Sequence, residues 1–153
     1  MNVLRKSWVI LKLVFSYFLF WPVPESLYIM KGNYFFDLGW YDRAIKNYKK
    51  ALRDSNSPRI HARIGYCYSK TGNAKEAVEY YRKTHNKTHD HSINVGLAIS
   101  EYDVGNMDES EAIIQELRGS NKLDSSTTKT LDNLEEHIAM VRRERKNLER
   151  HSD

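Results

Sequence analysis

The chain has 153 residues, of which 41% are apolar, 29% charged and 12% aromatic. That is material for one modest domain and excludes a large multidomain enzyme, while ten tyrosines exclude a disordered charged tail. Twenty-four lysines and arginines against 20 acids leave a net charge of +4, much of it at the two chain ends, so nucleic acid is not the expected partner.

Arg5 and Lys6 precede residues 8–23, WVILKLVFSYFLFWPV, whose only charge is Lys12. A helix apolar on every face must be buried in lipid or in protein. At a rise of about 1.5 Å per residue the run reaches about 24 Å, slightly short of a hydrocarbon core of about 30 Å. Lys12 lies near the amino-terminal end and can snorkel, and Trp8, Tyr17 and Trp21 suit interfaces. The leading expectation is an uncleaved membrane anchor over residues 1–24. The flanking charges then hold the amino terminus in the cytoplasm and put the rest across a single-pass membrane, facing the periplasm in a bacterial inner membrane. An inverted topology with the remainder cytoplasmic, a cleaved signal, and a helix buried in a protein partner or in the fold stay open.

Pro22 and Pro24 stop any helix leaving that run. Beyond them the chain repeats itself at an offset of 33 residues, pairing Gly32 with Gly65, Gly39 with Gly72 and Gly105, Ala44 with Ala77, Tyr48 with Tyr81 and Lys50 with Lys83. The same offset carries Asn73 to Asn106, Glu76 to Glu109, Ile64 to Leu97 and Gly65 to Ala98. A fixed period in this range marks stacked units, none of which buries its apolar face alone. Three units result, residues 25–57, 58–90 and 91–123. In the first, Tyr28, Phe35 and Leu38 precede Gly39, while Ala44, Ile45, Tyr48, Ala51 and Leu52 follow at helical spacing. Each unit therefore predicts two helices joined at Gly39, Gly72 or Gly105. Gly32, Gly65 and Ala98 facing Ala44, Ala77 and Ser110 predict a close crossing within each pair.

Taken in order, the first unit reads Tyr28, Gly32, Phe35, Gly39-Trp40-Tyr41, Ala44, Tyr48 and Ala51-Leu52. The second reads His61, Ile64-Gly65, Tyr68, Gly72, Ala77 and Tyr81, and a degenerate third reads Leu97-Ala98, Gly105, Ser110 and Ile114. Over about residues 25–119 this resembles the tetratricopeptide repeat (TPR) family. The resemblance implies an all-α, helix-turn-helix TPR solenoid of about three repeats that holds a protein or peptide partner in a groove. By similarity, groove-facing positions fall at Ile29, Asn33, Phe36 and Asp37, then Arg59, Ala62, Tyr66, Ser69 and Lys70, then Val95, Ile99 and Tyr102. Asn33, Phe36, Asp37, Arg59, Tyr66, Ser69, Lys70, Ile99 and Tyr102 form the expected partner-binding set. Chaperone-binding members clamp a terminal carboxylate with lysines, arginines and asparagines; here Asn33 matches, but Ile29 replaces a lysine and Tyr66 an asparagine, so no clamp is expected. Phe36, Tyr66 and Tyr102 instead suit an apolar peptide or helix. The competing expectation is that the chain's last helix fills the groove.

Residues 124–153 predict that last helix, with Leu131, Leu134, Ile138, Val141 and Leu148 at alternating three- and four-residue spacings and Arg145 interrupting them. It either caps the terminal repeat or offers a seam to a partner or a second copy. Arg142, Arg143, Arg145 and Lys146 interleave with Glu135, Glu136, Glu144 and Glu149, as on a solvated face. Cys67 is the only cysteine, which excludes an intramolecular disulfide and reads as a small buried hydrophobe. His85, His89 and His91 have spacings that metals tolerate, but only Asp90 offers outer support, so no metal is expected. Asn86-Lys87-Thr88 is a glycosylation triplet, meaningful only in a eukaryotic lumen. No phosphate-binding glycine loop, nucleophile elbow or zinc-protease motif occurs, so neither a cofactor nor an enzyme is expected. The sequence thus points to a membrane-anchored TPR adaptor or scaffold, an envelope assembly or maturation factor. The alternative is a structural subunit of a membrane complex whose groove never holds a free peptide.

Overall fold

The computed structural model describes residues 24–53, 55–85, 90–120 and 123–151, which form seven α-helices and, among the described residues, no strand. They are α1 (Glu25–Asp37), α2 (Tyr41–Ala51), α3 (Pro58–Lys70), α4 (Ala74–Arg82), α5 (His91–Asp103), α6 (Met107–Gly119) and α7 (Ser125–Arg150). Consecutive helices from α1 to α6 pack on one another, α3 also meets α5, and α7 lies on α5 and α6. The result is a helix-turn-helix solenoid of three pairs with a long helix at its end.

The three turns within pairs are copies of one another. Gly39, Gly72 and Gly105 have φ of 71°, 76° and 90°, a left-handed conformation that costs a residue without Cβ least. The N–H of the next residue then reaches back five positions, Trp40 to the Phe35 carbonyl at 2.9 Å, Asn73 to Tyr68 at 3.0 Å and Asn106 to Glu101 at 2.9 Å. These bonds satisfy carbonyls that a helix end otherwise leaves open. Helix starts are marked as well: Pro58 begins α3, and the Asp90 and Asp124 carboxylates accept from the backbone N–H of Ser92 and Thr127.

Small residues on the first helix of each pair answer to a ring on the second. A Cβ at Gly32 would come within 2.5 Å of the Tyr48 ring, and one at Gly65 within 3.0 Å of the Tyr81 ring. In the third pair the tyrosine is replaced by Ile114 and the glycine by Ala98, and Ser110 Oγ donates to the Ala98 carbonyl at 2.8 Å. The close crossing expected between small residues is thus, in two pairs, a glycine lying under a tyrosine.

Burial is divided between two cores. One holds Ala44, Ile45, Tyr48, Ala51, Ile60, Ile64 and Cys67; the other holds Ala77 and Tyr81 with residues of α5 and α6 and, from α7, Leu131, Leu134 and Ile138. Tyr68 packs against both. Ion pairs add to the seating of α7: Arg118 reaches Asp132 at 2.5 Å and Glu135 at 2.7 Å, and Arg142 reaches Asp108 and Glu111. Beyond Ile138 the apolar series leaves the core, and Leu148 is 73% exposed.

The transmembrane helix and the single-pass membrane localisation expected from the sequence are corrected. Among the described residues no helix is long and apolar enough to cross a membrane; each carries charged side chains, which are costly in a hydrocarbon core. Residues 8–23, on which the expectation rested, lie outside the described residues, and the envelope role that followed from the anchor is dropped with it.

The buried phenols and thiol make stability sensitive to alkali. Burial pushes Tyr81 and Cys67 up to about 12 and raises Tyr48 above its ordinary 10.0. The neutral form is favoured in the folded state, so this stability is complete below the unfolded values of 9.0 and 10.0 and is lost as pH rises towards about 12. The melting temperature is expected to hold up to about pH 9 and fall steeply between pH 10 and 12, with a shallower fall in Tyr81→Phe. An equal slope in Tyr81→Phe would remove Tyr81 as a source.

Candidate functional site

A groove of ≈ 850 Å³ runs between the first helices of the pairs. One wall is α3, with Arg59, Ala62, Arg63, Tyr66, Ser69 and Lys70; the other is α5 and its cap, from Asp90 through Ile93, Val95, Gly96 and Ile99 to Asp103. Phe36 of α1 closes one end and Tyr81 of α4 lies between the walls. Tyr81 fits there because α3 and α5 both offer a glycine: a Cβ at Gly96 would come within 2.6 Å of its hydroxyl, and one at Gly65 within 3.0 Å of its ring. No residue of α7 lines the groove.

Charge is polarised across it. The wall on α3 has no acidic residue and three cations, Arg59, Arg63 and Lys70, whereas α5 contributes Asp90 and Asp103 at its two ends. Burial raises the Asp103 carboxyl above its ordinary value. Aromatic rings gather at the mouth. Phe36 and Tyr66 lie 5.3 Å apart by centroid, and Tyr41 meets both rings edge-on at 6.0 and 6.3 Å. The Arg63 guanidinium sits 5.1 Å from the Phe36 centroid and the Lys70 ammonium 5.3 Å from that of Tyr66, so the cations are held over rings, leaving donors for a ligand.

Of the sequence-derived set, Phe36, Arg59, Tyr66, Ser69, Lys70 and Ile99 are brought to this groove, together with Ala62 and Val95. Asn33 is not: its Oδ1 accepts from the Tyr48 hydroxyl at 2.8 Å, and Arg63 donates to the same hydroxyl at 3.3 Å, a network joining α1, α2 and α3. Asp37 is exposed away from the lining, Ile29 packs on the first core and Tyr102 on the second. Sequence reasoning missed Arg63 and Gly96, which share one place in the 33-residue register; a glycine in the middle of the mostly apolar stretch from Ile93 to Ile99 was the available signal. His85 bonds Asn94 at 3.1 Å and lies 3.7 Å from Glu116, while His89 and the triplet at Asn86 fall outside the described residues. Among the described residues no three His, Cys, Asp or Glu side chains are placed to hold a metal.

A family model described as TPR repeat matches residues 32–72, and the described chain is an all-helical TPR-like solenoid. Yeast Tom70 is similar in structure, with a TM-score of 0.66 and 26% identity over 80% of this chain. The chain spans only 26% of the Tom70 chain. The Sgt2 TPR domain from Aspergillus fumigatus has a TM-score of 0.66 and 20% identity over 80% of this chain and 84% of its own. The first TPR of Spaghetti (RPAP3), bound to the HSP90 peptide SRMEEVD, has a TM-score of 0.66 and 17% identity over 75% of this chain and 93% of its own. No curated protein matches the sequence at a significant level.

Proposed function

We propose that the chain is a protein-interaction adaptor and that its groove holds a short segment of a partner carrying an apolar or aromatic anchor beside acidic residues. The observation that carries this reading is the groove itself, open between α3 and α5, basic on one wall and aromatic at its mouth. Buried aromatic anchors contribute much of the affinity in such sites, and the α3 cations set the sign of the charge a ligand carries. The TPR of Spaghetti (RPAP3), similar in fold, binds the acidic peptide SRMEEVD, which makes that peptide a suitable probe. With Tyr66 and Ile29 where a carboxylate clamp has polar side chains, the terminal carboxylate is not the anchor.

The test is a fluorescence titration with SRMEEVD and a panel of acidic peptides bearing one leucine or aromatic residue. Binding that weakens with added salt and changes little on amidating the peptide terminus is expected. Phe36→Ala with Tyr66→Ala should cost about 2 kcal/mol of affinity, roughly thirtyfold, with the helix signal nearly intact because Tyr66 is exposed and Phe36 only partly buried at the edge of the first core. If no peptide of the panel binds, the reading is wrong.

A further inference from the structure

Helix α1 buries only Gly32, whereas α3 buries Ile60, His61, Ile64, Gly65 and Cys67, and α5 also buries five residues. The difference lies on one face. In α3, Ile60, Ile64 and Cys67 share a core with Ala44, Ile45, Tyr48 and Ala51 of α2; in α5, Ile93 and Leu97 share one with Ala77 and Tyr81 of α4. The residues of α1 at the places of Ile60, Ile64 and Cys67 are Leu27, Lys31 and Tyr34. Beside them Met30, Tyr34 and Leu38, spaced every four residues, are 61%, 62% and 46% exposed. On α1, then, the face that α3 and α5 cover with the preceding pair holds Leu27, Lys31 and the exposed Tyr34, with the exposed Met30 and Leu38 at its margins.

We propose that this face is the docking site of the chain's own residues 8–21, which take on α1 the place that α2 takes on α3 and α4 on α5. The repeat register favours this occupant. Thirty-three residues before Ala44, Tyr48, Ala51 and Leu52 stand Leu11, Phe15, Phe18 and Leu19, all apolar. Lys12, in the place of Ile45, is the one charged departure, and a lysine stem covers apolar surface while its ammonium stays at the edge. Chain length favours it too. The same register makes residues 19–24 the connection that 52–57 form between α2 and α3, within the two to eight residues usual between packed helices. So short a tether keeps the segment at an effective concentration of about millimolar beside α1, which a separate copy of the chain at ordinary concentrations does not reach.

Cross-linking of the full chain tests the proposal. Phe15→Cys with Tyr34→Cys places thiols at the equivalents of Tyr48 and Cys67, and a bis-maleimide spanning about 8–10 Å matches the separation of packed helices. The native Cys67 is buried and its thiol is pushed up to about 12, so it does not compete. A monomeric product joining the two segments is expected, read by mass spectrometry. Met30→Asp with Leu38→Asp, exposed positions whose change leaves the fold intact, should speed chymotryptic cleavage within residues 8–21 about tenfold or more, the factor implied by losing one buried large side chain. A dimeric product in dilute solution would give the face to a second copy. Loss of the product when phosphatidylcholine vesicles are added, with the chain floating on them, would give the segment to lipid. Either result, or no product at all, overturns the proposal.

Discussion

Gly32→Leu is expected to lower the thermal unfolding midpoint by roughly 6–12 °C, from a cost of about 3 kcal/mol in a domain of this size. Even the first carbon of the new side chain would lie 2.5 Å from the Tyr48 ring. That ring cannot swing away, because it is fully buried and its hydroxyl is held between Asn33 and Arg63. Gly65→Ala is the informative contrast. Its Cβ would sit 3.0 Å from Tyr81, and the strain is offset by about 1 kcal/mol of helix propensity gained over glycine, so its midpoint should stay close to that of the parent chain. A circular dichroism melt checks both, and an unaltered Gly32→Leu curve would mean that α1 does not lie on α2 as described.

Arg82→Met should be comparably damaging for an electrostatic reason. The Glu101 side chain is 0% exposed, and the Arg82 guanidinium meets its Oε1 at 2.6 Å across the boundary between the second and third pairs. Asn106 donates to Oε2 at 2.8 Å, which alone does not neutralise a buried carboxylate. Removing one partner of such a pair costs about 3–5 kcal/mol; with Arg82 half-exposed, about 3 kcal/mol is the better figure. Arg82→Met with Glu101→Leu should recover most of the loss, since no charge is then stranded. Urea midpoints of the three variants decide it, and a neutral Arg82→Met would show that Glu101 is held without its arginine.

The repeat was legible in the sequence because its causes are local: Gly39, Gly72 and Gly105 answer to a single backbone geometry, and Tyr48 and Tyr81 to the glycines beneath them. The groove was legible chiefly along α3, which has a neighbour on either side, so that its inward face follows from the register. At the ends of the stack register is not enough. Asn33 looks like a groove residue until the hydroxyl of Tyr48, fifteen positions later, is seen to claim it. Tyr102 occupies the place of Phe36 and Ser69 in the repeat but sits against the core that α7 helps to build, and nothing near it in sequence announces that. The apolar run at residues 8–23 posed the hardest choice, because hydrophobicity on every face states only that burial is needed, not what provides it.

The division of the interior into two cores gives the groove a mechanical character. Its α3 wall is backed by the first core and its α5 wall by the second, with Ala62, Tyr68, Tyr80 and the ring of Tyr81 among the side chains that join them. In a solenoid, cooperativity comes only from neighbouring contacts, so the halves are free to lose structure at different stresses. A segment bound as proposed, touching both walls, would act as a splint across this seam, and its affinity would include the work of holding the halves in register. The adaptor would then be stiffest when occupied, and its two halves would report occupancy to one another without any change of fold.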